Sequence, residues 1–360
     1  MASSNNIRLS PTPAPPLSFR QANPLIAGDW DEVISQQPGA SIFHQAAWAK
    51  TLARTYGFTP IYLTGFCDQK PVAALPLVEV DSWLTGKRGV SLPFTDECEP
   101  LSMPEAFLSP IVQEALRLGR ERGWKHLELR GGKNPFNNAA PSITFHGHKL
   151  KLSATTGALF DRFESSVRRA LRKSEKNAVR VEFAQTLEAT TEYYALHCQT
   201  RKQHGLPPQP FNFFRRLQEH VLAQNLGVVV TARLRDQPVA SAIFFHHGRK
   251  AIYKFGASLK AALDARANNL VMWEAIQWLA ARGVEELSFG RTSLHNEGLR
   301  RYKLGWGTEE YPINYYRYDL HKEALVPEAD ATAGWQTRLF RALPVSMAKC
   351  AGKVLYKHFA

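Results

Sequence analysis

One order of predicted elements occurs twice along this chain, and this duplication constrains the fold more than any single motif does. In the first copy, the alternating segment TPIYLTGFCDQKPVAALPLVEV predicts a β-hairpin, which a helix and the strand WKHLELR follow. In the second copy, LGVVVTARLRDQPVASAIFFHH predicts another hairpin, again followed by a helix and a strand, VEELSFG. Both copies carry Pro-Val-Ala, at 71–73 and 238–240, and then Arg-Gly, at 122–123 and 282–283. The repeated order predicts two tandem copies of one α/β unit.

Length and composition agree with two globular domains. A typical domain has about 150 residues, and this chain has 360. Apolar residues make up 44% and charged residues 21%, which excludes a chain that is disordered throughout. We place the two copies at 25–153 and 154–322. A flexible, proline-rich leader (1–24) precedes them, and a basic tail (323–360) follows.

Cysteine usage and hydropathy indicate a cytoplasmic protein. The four cysteines are scattered without CxxC spacing, so we expect reduced thiols and no structural zinc site. They are Cys67, Cys98, Cys198 and Cys350. No run of about 18 apolar residues predicts a membrane span, and the N-terminus has no continuous apolar segment typical of a secretory signal.

The chain is strongly basic, with a formal net charge of +13 and a pI near 9.6. Such a charge favours anionic partners, namely nucleic acid, a phosphorylated ligand or an anionic membrane surface. The alternative is a basic surface that is merely solvated. Clustered basic residues would favour a binding surface over a solvated one. In this sequence, basic residues are dense in two segments.

The first basic segment, SSVRRALRKSEKNAVR at 165–180, contains a single acid, Glu175. Arg168, Arg172 and Lys176 are spaced four residues apart and fall on one helical face. Like charges in this arrangement cost helix stability, a few tenths of a kcal/mol per pair, unless an anion neutralises them. We therefore predict a phosphate-binding face, with a solvated helix as the alternative.

The second basic segment is the end of the chain, since residues 331–360 contain no Asp or Glu. Basic and apolar residues alternate there after Trp335, and Pro344 should kink or split a helix. This pattern is typical of an interfacial helix on an anionic leaflet. The alternative is a helix that packs back across the two domains.

The densest polar segment is SFGRTSLHNEGLRRYKLGWG at 288–307, directly after a predicted strand. Loops at the carboxyl ends of strands in open α/β sheets are where ligands bind, so we predict a substrate loop here. By position, His295 and Glu297 are candidate bases. Upstream, a helix beginning near Asn268 and Asn269 offers free N–H groups to a phosphate or an oxyanion.

Common catalytic motifs are absent from the sequence. It contains no serine nucleophile elbow, P-loop or dinucleotide fingerprint, and no histidine or cysteine spacing that predicts a metal site. These absences argue against most hydrolases, kinases and dehydrogenases. The class of enzyme that remains is one that positions a substrate whose transferable group is already activated.

The second half resembles the FemAB-like branch of the GNAT acyltransferase superfamily. The residues that carry the resemblance are TRKQHGLPPQPFNFF (200–214), FGAS with ANNLVMWEAI (255–276) and FGRTSLHNEGLRRYKLGWG (289–307). In the first half, VSLPFTDECEPL (90–101) and LELRGG (127–132) are similar to the same family. The tail resembles that of relatives associated with exopolysaccharide and exosortase gene clusters.

The resemblance implies two tandem GNAT-like domains, each a mixed, mostly antiparallel sheet flanked by helices. It implies transfer of an acyl or aminoacyl group, from acyl-CoA or aminoacyl-tRNA, to an amine or hydroxyl. The family's Phe-Lys pair falls on Tyr302 and Lys303, so Lys303 would stabilise the anion that develops during attack. One departure bears on the donor. The usual GNAT pyrophosphate signature is absent after YKFGAS, which keeps aminoacyl-tRNA beside acyl-CoA as a candidate.

We therefore expect an acyltransferase that acts on a cell-envelope glycan, a peptidoglycan or exopolysaccharide component, or a lipid-linked precursor. Its donor is a co-substrate, and we expect no tightly bound cofactor and no metal. One active cleft is expected, lined mainly by the second copy. The expected catalytic residues are Lys303, Tyr302, Arg291, His295 and Glu297; donor contacts are Ser258, Asn268, Asn269 and Asn296; acceptor contacts are Asp96, Arg130 and Arg201; phosphate contacts are Arg168, Arg172 and Lys176. The alternative is a non-catalytic RNA- or membrane-binding protein on a degenerate transferase fold.

Overall fold

The computed structural model describes residues 17–35, 37, 39–136, 139–153, 155–330 and 340–358. The strands are β1 (Leu17–Ala22), β2 (Thr59–Pro60), β3 (Tyr62–Cys67), β4 (Lys70–Leu75), β5 (Val78–Val80), β6 (Arg88–Val90), β7 (Leu101–Ser102), β8 (His126–Arg130), β9 (Ile143–Lys151), β10 (Arg180–Ala184), β11 (Gly227–Leu234), β12 (Gln237–His247), β13 (Lys250–Ser258), β14 (Glu286–Ser288), β15 (Thr292–Ser293), β16 (Glu309–Asp319) and β17 (Ala324–Leu325). The α-helices are α1 (Trp30–Ser35), α2 (Ala46–Tyr56), α3 (Leu108–Glu121), α4 (Thr156–Arg162), α5 (Ser165–Lys176), α6 (Leu187–Gln203), α7 (Phe211–His220), α8 (Ala267–Ala280), α9 (Glu297–Leu304) and α10 (Val345–Leu355).

Both predicted hairpins are present, and their turns are alike. In the first, Asp68 and Gln69 join β3 to β4 with φ of +48° and +63°; in the second, Arg235 and Asp236 join β11 to β12 with φ of +49° and +62°. Positive φ at both central residues is the geometry of a tight turn that matches the twist of antiparallel strands. The helix and strand predicted after each hairpin are also present, so the mixed α/β fold class is confirmed.

The strands form one small sheet and one long sheet that runs through both halves of the chain. The small sheet has the order β1-β3-β4-β7, and the long sheet has the path β10-β11-β12-β13-β14-β9-β16-β8-β6-β5-β2. β9, from the first half, lies between β14 and β16 of the second half, and β16 in turn pairs with β8. The sheet is therefore continuous across the boundary that we drew between residues 153 and 154.

The hydrophobic core also joins the two halves. Trp48 of α2, fully buried, packs edge-on against Phe213 of α7 and Phe245 of β12, with ring centroids 6.0 and 5.9 Å apart. These contacts belong to a cluster that contains buried residues of both halves. The first half thus depends on side chains of the second for part of its core.

The amino-terminal segment differs from the flexible leader that we predicted over 1–24. Residues 1–16 lie outside the described residues, but Leu17–Ala22 form β1, antiparallel to β3. The Phe19 ring lies against Gly65 of β3, where a Cβ would be 3.4 Å from the ring. Proline content predicted an extended chain, but only the fold supplies the strand edge with which β1 pairs.

The carboxyl-terminal segment follows the alternative that we considered, a helix that packs back on the protein. Ala348 and Gly352 of α10 are buried, and a Cβ on Gly352 would lie 2.0 Å from the Pro208 carbonyl oxygen. After the helix, the Ser82 hydroxyl lies 2.9 Å from Nδ1 of the buried His358. Trp335 and its neighbours at 331–339 lie outside the described residues.

Candidate active site

A buried ion pair lies where two parallel strands of the long sheet separate. β13 and β14 pair only through Lys250–Ile252 and Glu286–Ser288, whereas β13 continues along β12 to Ser258. Just beyond the separation, the Lys254 ammonium donates to a carboxylate oxygen of Asp96 at 2.6 Å, and the two side chains are 7% and 18% exposed. Asp96 belongs to the first half of the chain, so this pair connects the halves at the point of separation.

Lys303, a predicted catalytic residue, lies beside this ion pair. It is buried on α9, and its ammonium donates to the carbonyl oxygens of Gly290 at 2.9 Å and Arg291 at 3.1 Å. Burial lowers the pKa of Lys303 to about 8, although Asp96 opposes this shift. An ammonium has three N–H donors, and these two carbonyl oxygens accept from it.

Aromatic rings and a glycine fix the other groups around Asp96. The Arg291 guanidinium lies over the Phe145 ring, 4.4 Å from its centroid, and the Tyr315 hydroxyl donates to the Asp96 carbonyl at 2.7 Å. Gly290 has φ +69°, and a Cβ there would lie 3.2 Å from the Asp96 carboxylate, so a side chain at Gly290 would be strained and crowded.

The charges around the strand separation are mostly positive. The buried Lys254 and Lys303 and the exposed Arg291 surround the carboxylate of Asp96. Burial alone would raise the pKa of Asp96, but Lys254 and Arg291 hold it below its usual range. An excess of fixed positive charge in a buried site stabilises an oxyanion that develops there during reaction.

On one side of the separation lies a cavity of about 80 Å³, which we call the acidic cavity. Its walls come from both halves of the chain and contain four carboxylates together with two lysines. The charged lining residues are Asp96, Glu97, Glu99, Glu286, Lys149 and Lys250. Lys149 lies 3.6 Å from Glu286, which leaves the cavity with an excess of negative charge.

Glu97 is a carboxylate of this cavity with a raised pKa. The Tyr311 hydroxyl donates to it at 2.9 Å. Burial raises the pKa of Glu97, and the neighbouring Glu99 charge adds to this effect, while the Tyr311 hydrogen bond opposes it. A carboxylate whose pKa is raised toward neutrality is a more effective general base than an ordinary surface carboxylate.

The loop that carries Asp96 and Glu97 has unusual backbone geometry. Leu92 and Phe94 have φ of +57° and +61°, a region that costs energy for residues with side chains. The Phe94 ring packs against Tyr56 with centroids 5.2 Å apart. This packing holds the loop, and such strain is typical of functional sites.

On the other face of β13 lies a longer space, which we call the basic groove. It consists of two adjoining cavities of about 450 and 380 Å³, both lined by Arg266, Asn269 and Tyr302. Its basic residues are Arg169, Lys173, Arg266 and Arg301. The first turn of α8 opens on the groove, and the amides of a helix start carry partial positive charge. The groove can therefore hold phosphate groups.

The structure brings many of the predicted site residues to these spaces. Asp96, Arg291 and Lys303 form the charged cluster, and four others line the basic groove. Those four are Ser258, Asn268, Asn269 and Tyr302. The assignment of their roles stays a prediction.

Three predicted residues of the loop lie outside both spaces, at the exposed start of α9. Asn296 caps that helix, since its side chain accepts from the Leu299 amide at 3.1 Å. His295 is exposed, and Glu297 lies 3.5 Å from Arg300 in an exposed ion pair. Neither candidate base reaches the charged cluster, because the loop turns outward before α9 begins.

Other predicted contacts are occupied within the protein. The Arg130 guanidinium donates to Glu128 at 2.7 Å, and that of Arg201 donates to the Tyr356 hydroxyl at 2.9 Å. On α5, the predicted phosphate residues Arg168, Arg172 and Lys176 are absent from the lining of the groove, for which the described residues supply Arg169 and Lys173 instead.

Sequence reasoning missed Lys254, Glu97 and the Arg169–Lys173 pair. Glu97 stood in the acid-rich run TDECEP, and Lys254 is a charged residue in an otherwise apolar, alternating strand. Both signals are visible in the sequence. Among the residues that the structure describes, no group of three or more His, Cys, Asp or Glu side chains could hold a metal.

Comparisons with known proteins agree with this geometry. Residues 161–311 match the family model described as an acetyltransferase (GNAT) domain. The crystal structure of FemX superposes with a TM-score of 0.65 at 12% identity, covering 85% of this chain and 98% of FemX. A tandem GNAT protein from the clavulanic acid biosynthesis pathway superposes with a TM-score of 0.53 at 12% identity, covering 88% of this chain and 100% of that protein. The C-terminal domain of a putative lysylphosphatidylglycerol synthetase from Agrobacterium fabrum superposes with a TM-score of 0.54 at 14% identity, covering 84% of this chain and 91% of that domain. A search of curated protein sequences found no significant match.

The match over residues 161–311 gives this chain a GNAT acetyltransferase domain. The solved structures show that its fold is that of FemX and of a tandem GNAT protein, as the sequence predicted. The solved structures establish the fold alone, since all are below 25% identity. Within the described residues, no helix combines the length and apolar character needed to cross a bilayer.

Proposed function

We propose that the protein transfers an acyl or aminoacyl group from acyl-CoA or aminoacyl-tRNA to an amine of a cell-envelope glycan or lipid-linked precursor. One observation carries this proposal. The cluster of Asp96, Lys254 and Lys303 lies where the strands separate. Asp96 lines the cavity rich in carboxylates, and Tyr253 and Tyr302, the chain neighbours of the two lysines, line the basic groove. Two reactants of opposite charge can meet there.

The basic groove suits the donor. Acyl-CoA and aminoacyl-tRNA both carry phosphates, and both would bind to guanidinium and ammonium groups and to the start of α8. Arg266 and Asn269 line both parts of the groove. They could contact one phosphate group while Arg169 and Lys173 contact another. Either donor is a co-substrate that leaves after transfer.

The acidic cavity favours an amine as the acceptor over a hydroxyl. An amine arrives largely as the ammonium, which Glu97 and Glu286 attract. To react, it must lose a proton, and Glu97 is the proposed acceptor of that proton because its raised pKa makes it a stronger base.

The proposed reaction is acyl substitution. The neutral amine nitrogen attacks the acyl carbonyl carbon, and the C=O electron pair moves to oxygen to give a tetrahedral oxyanion. Lys303 donates its remaining N–H to that oxyanion, with Lys254 nearby. The intermediate then collapses: the C=O bond re-forms, the bond to the CoA sulfur or the tRNA ribose oxygen breaks, the amine nitrogen loses its second proton to the leaving group, and a neutral amide remains.

Two observations support an acceptor in the cell envelope. The fold is shared with FemX and with the C-terminal domain of a putative lysylphosphatidylglycerol synthetase, and the name of the latter specifies an aminoacylated membrane lipid. The basic C-terminal segment also suits the cytoplasmic face of an anionic membrane. We propose that the enzyme works at that surface.

Donor binding is the first test. Calorimetry on the full chain would compare acetyl-CoA, longer acyl-CoAs, charged tRNA and uncharged tRNA at physiological salt. Saturable binding of a CoA thioester identifies an acyl-CoA enzyme, and preference for charged over uncharged tRNA identifies aminoacyl transfer. Each positive result is followed by mass spectrometry of amine acceptors for the acyl mass. Binding of none of the four, or binding without any product, would contradict the proposal and favour the non-catalytic alternative.

A further inference from the structure

A third cavity, away from the acidic cavity and the basic groove, lies under the C-terminal helix. It has a volume of about 710 Å³ and is lined by residues of α2, α6, α7 and α10. We call it the lysine cavity; its defining residues are Lys349, Lys353, Lys357, Tyr56, Tyr194 and Phe211. Because Gly352 of α10 packs tightly against Pro208, the helix that forms one wall has a fixed position.

The lysines of this cavity have no local neutralising charge. Lys349, Lys353 and Lys357 are spaced four residues apart, so they share one helical side. In the described part of the chain, the lining contains no Asp or Glu, and the sequence of 340–358 contains none. Three like charges on one side of a short helix destabilise it unless an anion binds.

The floor of the cavity is aromatic, which indicates more than a free anion. Tyr56, Tyr194 and Phe211 contribute ring surface, and the Lys349 ammonium lies 5.2 Å from the centroid of the Tyr194 ring. Lysine side chains bury their methylene stems on apolar surface while their ammonium groups reach toward polar ligands. This combination suits an amphiphile with an anionic head.

Large apolar side chains are exposed on the surface around the lysine cavity. Met347 and Val354, on the outward side of α10, are each 55% exposed, and Trp83 is 81% exposed. The Trp83 ring contacts His358, with centroids 5.2 Å apart, so it adjoins the end of the C-terminal segment. Exposed tryptophan beside lysines is typical of surfaces that lie in the headgroup region of a bilayer.

We propose that the lysine cavity binds the phosphorylated headgroup of an anionic phospholipid and so docks the enzyme on a membrane. The phosphate would lie among Lys349, Lys353 and Lys357, and the glycerol and first methylene groups would cover the aromatic floor. This inference rests on the proposed function, because that function places the enzyme at a membrane surface. Tyr56 of the cavity touches Phe94, two residues before Asp96, so the docked lipid would adjoin the loop of the active site.

Vesicle co-sedimentation of the full chain tests this site without donor or acceptor. We expect binding to vesicles of equimolar phosphatidylcholine and phosphatidylglycerol, and none to phosphatidylcholine alone. The triple variant Lys349→Gln/Lys353→Gln/Lys357→Gln should bind about a hundredfold more weakly, since each lysine near an anionic surface contributes about fivefold. A control with the same loss of charge, Lys70→Gln/Arg235→Gln/Lys322→Gln, changes exposed residues in or directly beside hairpin turns and should keep its binding.

Equal losses in the two triple variants would show an effect of net charge alone and would overturn the proposal. Complete release by millimolar inorganic phosphate at matched ionic strength would also overturn it, because the site would then take a free anion. Thr191→Trp fills the cavity without changing charge, and it should weaken binding as well. Circular dichroism confirms that each variant is folded. Because this assay involves no turnover, failure of vesicle binding and failure of the transferase proposal are separate results.

Discussion

The acidic cavity and the basic groove lie on opposite faces of one strand, and their contrast shows how this fold can divide a reaction. Ile252 lines the cavity and its neighbour Tyr253 lines the groove, because successive side chains of a strand point to opposite faces. One space collects carboxylates, the other guanidinium and ammonium groups. In the proposed reaction, an amine and a phosphorylated donor would be attracted to different faces, and they would meet where β13 and β14 separate.

The two spaces also differ in origin. The residues that line the basic groove all fall between 166 and 305, in the second half of the chain. The acidic cavity adds residues from 39–44, from 96–99 and Lys149, all in the first half. Under the proposed function, the two copies would share one reaction centre. The second copy would supply the donor side, and the first copy would complete the acceptor side.

The largest expected effect is at the acidic cavity. Glu97→Gln keeps the shape of the side chain and removes its basicity, so kcat should fall by about 10²–10⁴, the usual contribution of a general base. Glu309→Gln, at an exposed carboxylate paired with Lys151, is the matched control and should leave kcat unchanged. Steady-state kinetics with an amine acceptor decide the point. If the variant instead showed a raised KM with an unchanged kcat, Glu97 would be an acceptor-binding residue and not a general base.

The next largest effect is at the centre between the two spaces. Lys303→Met retains most of the volume and removes the ammonium, which should lower kcat by about 10²–10³. Lys151→Met is the exposed control. Because Lys303 acts as the ammonium and its pKa is about 8, activity should fall as pH rises through 8. It should also fall at low pH, as Glu97 takes up a proton. Near-normal turnover in Lys303→Met would refute the role of Lys303.

The basic groove gives a smaller effect, and α5 itself supplies the control. Arg169→Gln/Lys173→Gln removes two charges that line the groove, and the donor Kd should rise about tenfold for each lost charge-assisted contact. Arg172→Gln/Lys176→Gln removes the same charge from residues of α5 that do not line the groove, and it should change little. Calorimetry with the donor measures both. If Arg172→Gln/Lys176→Gln raised the donor Kd more than Arg169→Gln/Lys173→Gln, the phosphate-binding face predicted from the sequence would be the correct one.

The smallest effect concerns stability, and it compares a histidine of each space. Burial lowers the pKa of His44, in the acidic cavity, to about 4. The unfolded chain therefore binds more protons, and His44 should contribute a loss of about 2 kcal/mol of unfolding free energy between pH 7 and pH 5. His44→Gln should remove that part of the pH dependence, whereas His204→Gln, at an exposed histidine of the groove, should remove less. Urea unfolding at both pH values measures the difference; an unchanged pH dependence in His44→Gln would contradict it.

Local patterns in the sequence predicted much of this architecture. The hairpins, the helices that follow them and the strand before Arg291 were predictable, because alternation and helical spacing are properties of short segments. Lys303 was found through a family motif, and Asp96 lies in the segment at 90–101 that resembles the same family. By contrast, residues 17–22 contain a strand that composition concealed, since β1 forms only where the edge of β3 is available.

The sequence by itself determined which residue types recur and at what spacing. These are two copies of one unit, a helix whose basic residues lie opposite its buried stripe, and an acid-rich loop before Pro100. Only the tertiary structure decided which of those residues meet. Periodicity shows that Arg168 and Arg169 lie on different sides of α5, but it cannot show which side borders a groove. That choice depends on how Val167 and Leu171 pack into the core. Likewise, Asp96 and Lys254 are 158 positions apart, and only a sheet that crosses both halves places them in contact.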